Sequence, residues 1–390
     1  MYKIDNEVFK IFNARIRTLE PSCAVTPFQD ATMGPFETFG IAILTLEDED
    51  GTIGEAPVFS SYNNILENFI FPILLHNQNW PYSELYPRLY WSIRNEGFRG
   101  QASALLGQID LALYDLAARR HKVPLHKYLN AERNCVRFYG SGGGTNYSLK
   151  ELENELTVFL EAGTGCYKMK VGKDFGLRMK EDVERVKFVR SLMGKDIRLA
   201  VDANQIWTCE QALQFIDMAG CQDLAWFEEP VHSAALDQIE KICSSTPVTI
   251  SYGESERTSR TFPTLVNMGV GHLQPVPTQI GGVKEWMEVR DLAQNSGIQF
   301  SSGGYSWFTA SLMASAYDAC QVEYLYAIMR GLEKYFSVMP EWKNGCFILP
   351  DNEGIGAQVD WDFCTRTNKI IFEKSWSRKD VRRYSPLVSI

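Results

Sequence analysis

The sequence predicts an α/β protein: a (β/α)8 barrel preceded by a smaller α+β domain. Three observations lead there. Short β-prone runs that stop at charged residues recur between 168 and 254: YKMKV, RLAVDANQIW, AWFEEPV and VTISYGESE. The spacing from Asp202 to Glu228 and from Glu228 to Glu254 is 26 residues each time. That is about one strand, one helix and two loops. Helical patterns, such as residues 181–192 and 210–219, fill the intervals. Repeated strand–helix units imply a parallel sheet, and several in a row imply a closed barrel.

The chain has 390 residues, which accommodates a barrel of about 250 residues and one further domain. Hydrophobic residues make up 45% and charged residues 22%, as in an ordinary globular enzyme. No uncharged apolar run reaches the roughly 18 residues of a membrane span. The start, MYKIDNEVFKIF, lacks the basic-then-apolar signature of a secretory signal. The net charge is −9 and no Lys/Arg-rich stripe stands out, so neither nucleic acid nor membrane is expected as a partner. Nine cysteines, at 23, 135, 166, 209, 221, 243, 320, 346 and 364, include no Cys-x-x-Cys pair. They read as reduced, mostly buried thiols of a cytoplasmic protein. The five histidines form no His-Glu-x-x-His, which excludes a zincin site.

In chain order, residues 8–17, 39–47 and 52–55 are strand candidates. Residues 21–35 are rich in Pro, Gly and polar side chains and read as a mobile loop, either a lid or a plain connector. Residues 64–76, 81–94 and 101–120 read as helices. The last is apolar and small nearly all round, so it should be buried against something, and Pro124 stops it. The first domain is placed at 1–130. The barrel is placed at 131–355, with strands at 136–139, 166–171, 198–202, 225–229, 248–251, 272–275, 298–302 and 322–326. Residues 349–360 are turn-rich. The segment 356–390, polar and partly strand-like from 361 on, is expected to return to the N-terminal domain. The Gly-rich SGGGT after the first barrel strand lacks Gly-Lys-Ser/Thr and is not read as a nucleotide loop.

Lys168 and Lys170 alternate on one strand and so share a face. They read either as an active-site pair that depress each other's pKa, leaving one a base near neutral pH, or as two surface lysines. Asp202, Glu228 and Glu254 are each readable alone as a salt-bridge partner or helix cap. Together at successive strand ends they offer three hard oxygen ligands, which suits Mg2+. Glu229 and Asn204 sit beside them as supporting residues.

These motifs resemble the enolase superfamily, mandelate racemase/muconate lactonizing enzyme group. The matching pieces are Lys168-x-Lys170, Asp202-x-Asn204, Phe227-Glu228-Glu229-Pro230, Gly253-Glu254, and Gln274 through Ile280-Gly281-Gly282-Val283. The resemblance runs over nearly the whole chain. It implies a modified (β/α)7β barrel under an N-terminal capping domain that the C-terminal tail completes. It implies Mg2+ on Asp202, Glu228 and Glu254, and Lys170 as base beside Lys168. The shared step would be removal of a proton α to a carboxylate, through an enediolate. It implies a small carboxylate substrate, and a homo-oligomer is expected. Glu323 matches a position that hydrogen-bonds the substrate carboxylate, although a barrel-rim salt bridge is the alternative.

The sequence departs from that pattern on the far side of the substrate. The sixth strand should end in a catalytic Lys or Asp and the seventh in a His; the matching positions hold Val276 and Gly303. Tyr305 and Trp307 read as pocket wall filling the vacated volume. One-sided chemistry favours dehydration of a sugar acid or related hydroxy acid. A racemase or epimerase, which needs bases on both faces, is the alternative, and a non-catalytic metal-binding relic is the third reading.

Overall fold

In the computed structural model, which describes residues 2–77, 79–220 and 223–383, eight parallel strands close into a barrel. They are Cys135–Gly142, Cys166–Lys170, Arg198–Asp202, Leu224–Glu228, Ile250–Tyr252, His272–Leu273, Gln299–Ser302 and Gln321–Leu325. The eighth pairs in parallel with the first, from Val322 opposite Phe138 to Leu325 opposite Ser141, and so seals the ring. Every barrel strand read from the sequence is present, with its ends shifted by at most a few residues. Outer helices such as Leu149–Glu161 and Cys209–Ala219 begin where the sequence caps them. Ser148 and Thr208 each accept the N–H three residues on, from Glu151 and Gln211, and each pair forms a reciprocal capping box. After the eighth strand the hairpin Glu341–Lys343/Cys346–Ile348 adds antiparallel to the start of the first strand.

The other domain is built on an antiparallel sheet of Ile11–Leu19, Ala42–Asp48 and Ile53–Pro57. The returning strand Ile370–Ser377 pairs with Ile11–Leu19 as its fourth member. The last part of the expected tail, residues 384–390, lies outside the described residues, as does Cys221. The other eight cysteines are free thiols. Among the described residues no helix is long and apolar enough to cross a membrane.

The helix Gln101–Arg120 explains its own composition. Residues 102–118 are all buried because the helix is sandwiched between sheet and barrel. On one side a Cβ at Gly54 would meet the Ala112 carbonyl at 2.1 Å; on the other a Cβ at Gly107 would meet the Ile280 carbonyl at 1.9 Å. Its two buried acids tie it to the rest of the chain. Asp110 accepts from Tyr82 Oη (2.6 Å) and the Val283 N–H (2.7 Å). Asp115 accepts from the Glu55 N–H (2.7 Å) and the Ile355 N–H (2.6 Å).

Residues 21–35 are more regular than their loop-like composition suggests. Ser22–Phe28 and Phe36–Phe39 form a two-stranded hairpin, and its tip is fastened to the barrel. The Gln29 carbonyl accepts from the Thr145 N–H at 2.7 Å, and the Asp30 carbonyl from Thr145 Oγ1 at 2.7 Å. Asn146 Oδ1 accepts from the Gln29 N–H at 3.1 Å and its Nδ2 donates to the Pro27 carbonyl at 2.8 Å. The Gly-rich segment after the first barrel strand therefore serves as the dock for this hairpin.

Candidate active site at the barrel mouth

Strand register brings the strand-end charges to one level. Lys170 lies opposite Asp202, and Asp202 opposite Glu228, on neighbouring parallel strands. The fifth strand adds Ser251 opposite Glu228, and its chain then turns at Gly253 to deliver Glu254. A Cβ at Gly253, where φ is +144°, would meet the Gln274 backbone at 2.7 Å; only glycine lets the chain pass that close. As a result one carboxylate oxygen each from Asp202, Glu228 and Glu254 falls within 4.8 Å of the others.

Both lysines are enclosed in this cluster, Lys168 at 1% and Lys170 at 7% exposure, so the surface alternative fails. Lys168 Nζ lies 2.6 Å from Glu228, 2.9 Å from Glu323 and 3.3 Å from Asp202. Lys170 Nζ lies 2.5 Å from Asp202 Oδ2. Lys168 does lower the pKa of Lys170, as expected, but the net shift of both lysines is upward, opposite to a base near neutral pH. Burial and Lys168 pull Lys170 down, but Asp202, Glu254 and Glu228 outweigh them, and its pKa is raised. Burial likewise lowers Lys168, and Glu228, Glu323 and Asp202 raise it well above the usual lysine value. Opposite charges across the strands outnumber the like charge along one strand.

The acids show the same imbalance from the other side. Burial is the largest cause pushing Glu228 and Glu254 up to about 8; the neighbouring carboxylates add to it, Asp202 and Glu254 on the first, Glu229 and Asp202 on the second. Four carboxylates, of Asp202, Glu228, Glu254 and Glu323, surround two ammoniums. A divalent cation would offset the repulsion among these acids and favour their ionised forms, and an all-carboxylate donor set matches a hard ion such as Mg2+. Supporting contacts orient the acids. Trp226 Nε1 donates to Glu228 Oε2 at 3.1 Å. The Asn204 N–H donates to Asp202 Oδ1 at 2.9 Å, and the Asn204 side-chain Oδ1 is buried without a partner. Glu229 accepts from Ser255 Oγ (2.6 Å) and Gln205 Nε2 (3.0 Å).

Glu323 accepts from Ser141 Oγ at 2.7 Å as well as from Lys168. Burial raises its pKa, yet the two lysines outweigh that and hold it ionised. An ionised carboxylate only accepts, and in this arrangement Glu323 accepts from Lys168. Across the mouth stand Val276 and Gly303, neither of which can carry a proton. A Cβ at Gly303 would fall 2.3 Å from Glu323 Oε2. Tyr305 lines a cavity there. Trp307 is buried at 1% exposure and packs edge-on against Phe336, ring centroids 4.9 Å apart.

Two arginines escaped the sequence reading. Arg185, on the helix Met179–Met193, donates to the carbonyls of Lys170 (3.1 Å), Gly143 (2.7 Å) and Gly144 (2.6 Å). It thus joins the lysine strand to the segment on which the hairpin docks. Asp182, three residues earlier, pairs with it at 3.1 Å; an Asp-x-x-Arg on one helix was the available signal. Arg257 follows Glu254 by three residues and donates to its backbone carbonyl at 3.0 Å.

Known proteins with this architecture agree with the geometry. A model of the enolase C-terminal domain-like family matches residues 151–363. Arabinonate dehydratase of Saccharolobus solfataricus is 27% identical over 331 residues, 82% of this chain and 88% of that protein. 3,6-Anhydro-alpha-L-galactonate cycloisomerase of Streptomyces coelicolor is 27% identical over 344 residues, 86% of this chain and 94% of that one. The crystal structure of a racemase from Streptomyces coelicolor A3(2) with bound magnesium superposes with a TM-score of 0.83 at 26% identity, covering 91% of this chain and 99% of that one. With the family match spanning more than half of its length, this chain belongs to the enolase C-terminal domain-like family, within the mandelate racemase/muconate lactonizing enzyme group of the enolase superfamily.

Proposed function

We propose that this chain is a Mg2+-dependent enzyme that removes the proton α to the carboxylate of a sugar acid or related hydroxy acid and completes a dehydration. The observation that carries this reading is the level row of Lys170, Asp202 and Glu228, with Glu254 closing the acid cluster within 4.8 Å. Asp202, Glu228 and Glu254 would hold Mg2+, which when bound offsets the negative charge that gathers on the substrate carboxylate as the α-proton leaves.

The chain's own residues divide the remaining work. Lys168 is pinned by Glu228 and Glu323 and stays an ammonium. Lys170 is the outer lysine of the strand and touches one carboxylate, Asp202. Lys170, once it has given up its resting proton to solvent, takes the α-proton on its neutral amine. The electron pair left at Cα forms a Cα–Cβ double bond as the β-hydroxyl departs. The proton on Lys170 passes to that hydroxyl, so water leaves and the lysine returns to its starting state. The enol so formed becomes a 2-keto-3-deoxy acid. Both transfers take place on one face, which suits a mouth whose other side is Val276 and Gly303. The docked hairpin tip at residues 29–33 keeps bulk water from the reacting carbon.

The test is NMR of the Mg2+-loaded protein with a panel of sugar acids in D2O. A single Cα epimer should lose its α-proton and yield a 2-keto-3-deoxy acid. Lys170→Ala should slow this by roughly 10²- to 10⁴-fold. Interconversion of both Cα epimers at comparable rates, or full activity in Lys170→Ala, would overturn the assignment.

A further inference from the structure

A cavity of about 410 Å3 opens beside the acid cluster, between the barrel mouth and the N-terminal domain. Its polar wall includes Ser60, Tyr62, Gln101, Arg257, Gln279 and Tyr305. Arg257 is the one ionisable Lys, Arg, Asp, Glu or His side chain among the lining residues. Its Nη1 is anchored on the carbonyls of Glu254 (3.0 Å) and Glu256 (3.2 Å). No carboxylate among the described residues pairs with it, so the rest of the guanidinium fork is available to a ligand. Gln101 and Gln279 line the same space, and their side-chain carbonyl oxygens are buried with no hydrogen-bond partner. Buried acceptors without donors are costly unless something supplies the donor.

The walls are fixed in advance. Gln108 accepts from the Phe59 N–H at 2.9 Å and donates to the Thr278 carbonyl at 2.8 Å. It thereby staples the 59–62 segment to the segment that carries Gln279. The cavity lies at the ends of the fifth to seventh strands, across the mouth from Lys170 on the second. A molecule with its reacting carboxylate at the acid cluster would extend its far end into this space.

We propose that this cavity receives the far end of the substrate and selects a sugar diacid, with Arg257 binding the second carboxylate. This deepens the function proposed above and rests on it for the placement of the reacting end. A guanidinium fork matches a carboxylate in two-point geometry, and the lining holds no carboxylate to repel it.

The experiment measures calorimetric binding to the Mg2+-loaded Lys170→Ala protein, which does not turn substrate over. The probes are glucarate, galactarate and mannarate against gluconate, galactonate and mannonate. The best diacid should bind more tightly than its matched monoacid. Arg257→Met should weaken that diacid by about 10- to 100-fold and leave the monoacid within about threefold, while Arg257→Lys recovers part of the loss. Mg2+ affinity, measured alongside, should be the same in both variants, which separates lost recognition from a displaced Glu254. Diacid preference that depends on Arg257, in a protein whose Lys170 form exchanges no α-proton, would remove the proposed chemistry and leave this assignment standing. Equal binding of diacids and monoacids, equal weakening of both by Arg257→Met, or no binding of any probe would overturn it.

Discussion

Lys168 offers a test of the charge balance that the site rests on. It bridges Glu228, Glu323 and Asp202 at 2.6, 2.9 and 3.3 Å while almost wholly buried. Lys168→Met keeps the apolar stem and removes only the ammonium. Three buried carboxylates then lose their shared cation, and Lys170 replaces it only at Asp202. Breaking a buried ion pair by removing one partner costs about 3–5 kcal/mol. The Mg2+-free variant should therefore unfold in urea with a stability lower by that amount. The negative charge left unbalanced also grows by one, so the cluster gains more from a dication. Mg2+ at about 100 times its dissociation constant stabilises a folded protein by about 2.7 kcal/mol, and it should restore the variant by more than it adds to wild type at the same concentration. Urea titrations with EDTA and with Mg2+ give all four numbers. A variant within about 1 kcal/mol of wild type in EDTA, or an equal Mg2+ effect on both proteins, would refute the charge accounting.

Asp202→Asn and Glu228→Gln should each abolish calorimetric Mg2+ binding while leaving the circular dichroism of the barrel intact; unchanged binding in both would remove the metal assignment. His272, on the sixth strand, is buried with Nε2 2.9 Å from Ser301 Oγ and Nδ1 unpartnered. Burial first, then Arg198 and Lys168, lower its pKa well below the ordinary 6.5. Below about pH 6.5 the unfolded chain therefore takes up a proton that the folded one refuses, and stability falls by up to about 1.4 kcal/mol per pH unit. His272→Gln should flatten that part of the acid limb, read from urea midpoints between pH 7.5 and 5.5 with Mg2+ saturating. Gly107→Ala would push a methyl into the Ile280 carbonyl, 1.9 Å from the ideal Cβ, and should cost about 1–3 kcal/mol in the same assay.

The barrel was legible because its signal is repeated. Each strand is a short apolar run ending on a charge, and a period of 26 residues leaves little freedom over which charges meet. Register then does the rest, since level pairing of Lys170, Asp202 and Glu228 follows from parallel neighbours. The hairpin at Ser22–Phe28 and Phe36–Phe39 was not legible. Its Pro, Gly and polar composition is that of a loop, and what orders it is a set of bonds to Thr145 and Asn146, more than a hundred residues away. The sign of the lysine pKa shifts was misread for a related reason. Spacing along one strand shows the like charge two residues away, while the carboxylates that outweigh it come from other strands. Arg257 and Arg185 were missed because their main partners are backbone carbonyls, which leave no mark on composition.

The vacancy opposite the lysines is a matter of space as well as residue type. With Glu323 paired to Lys168, its Oε2 stands 2.3 Å from where a Cβ at Gly303 would be. Any side chain at the end of the seventh strand would have to displace Glu323. That would disturb Lys168, which also carries Glu228 and Asp202. The glycine on the far face and the ion network on the near face are thus one construction. A proton donor cannot simply be restored at 303 while the present network stays in place. Val276 packs its Cγ1 2.7 Å from the Cβ position of Gly304, so the neighbouring strand end is closed by apolar contact in the same way. Two-sided proton transfer would need both positions rebuilt together, whereas one-sided chemistry from Lys170 uses the mouth as it stands.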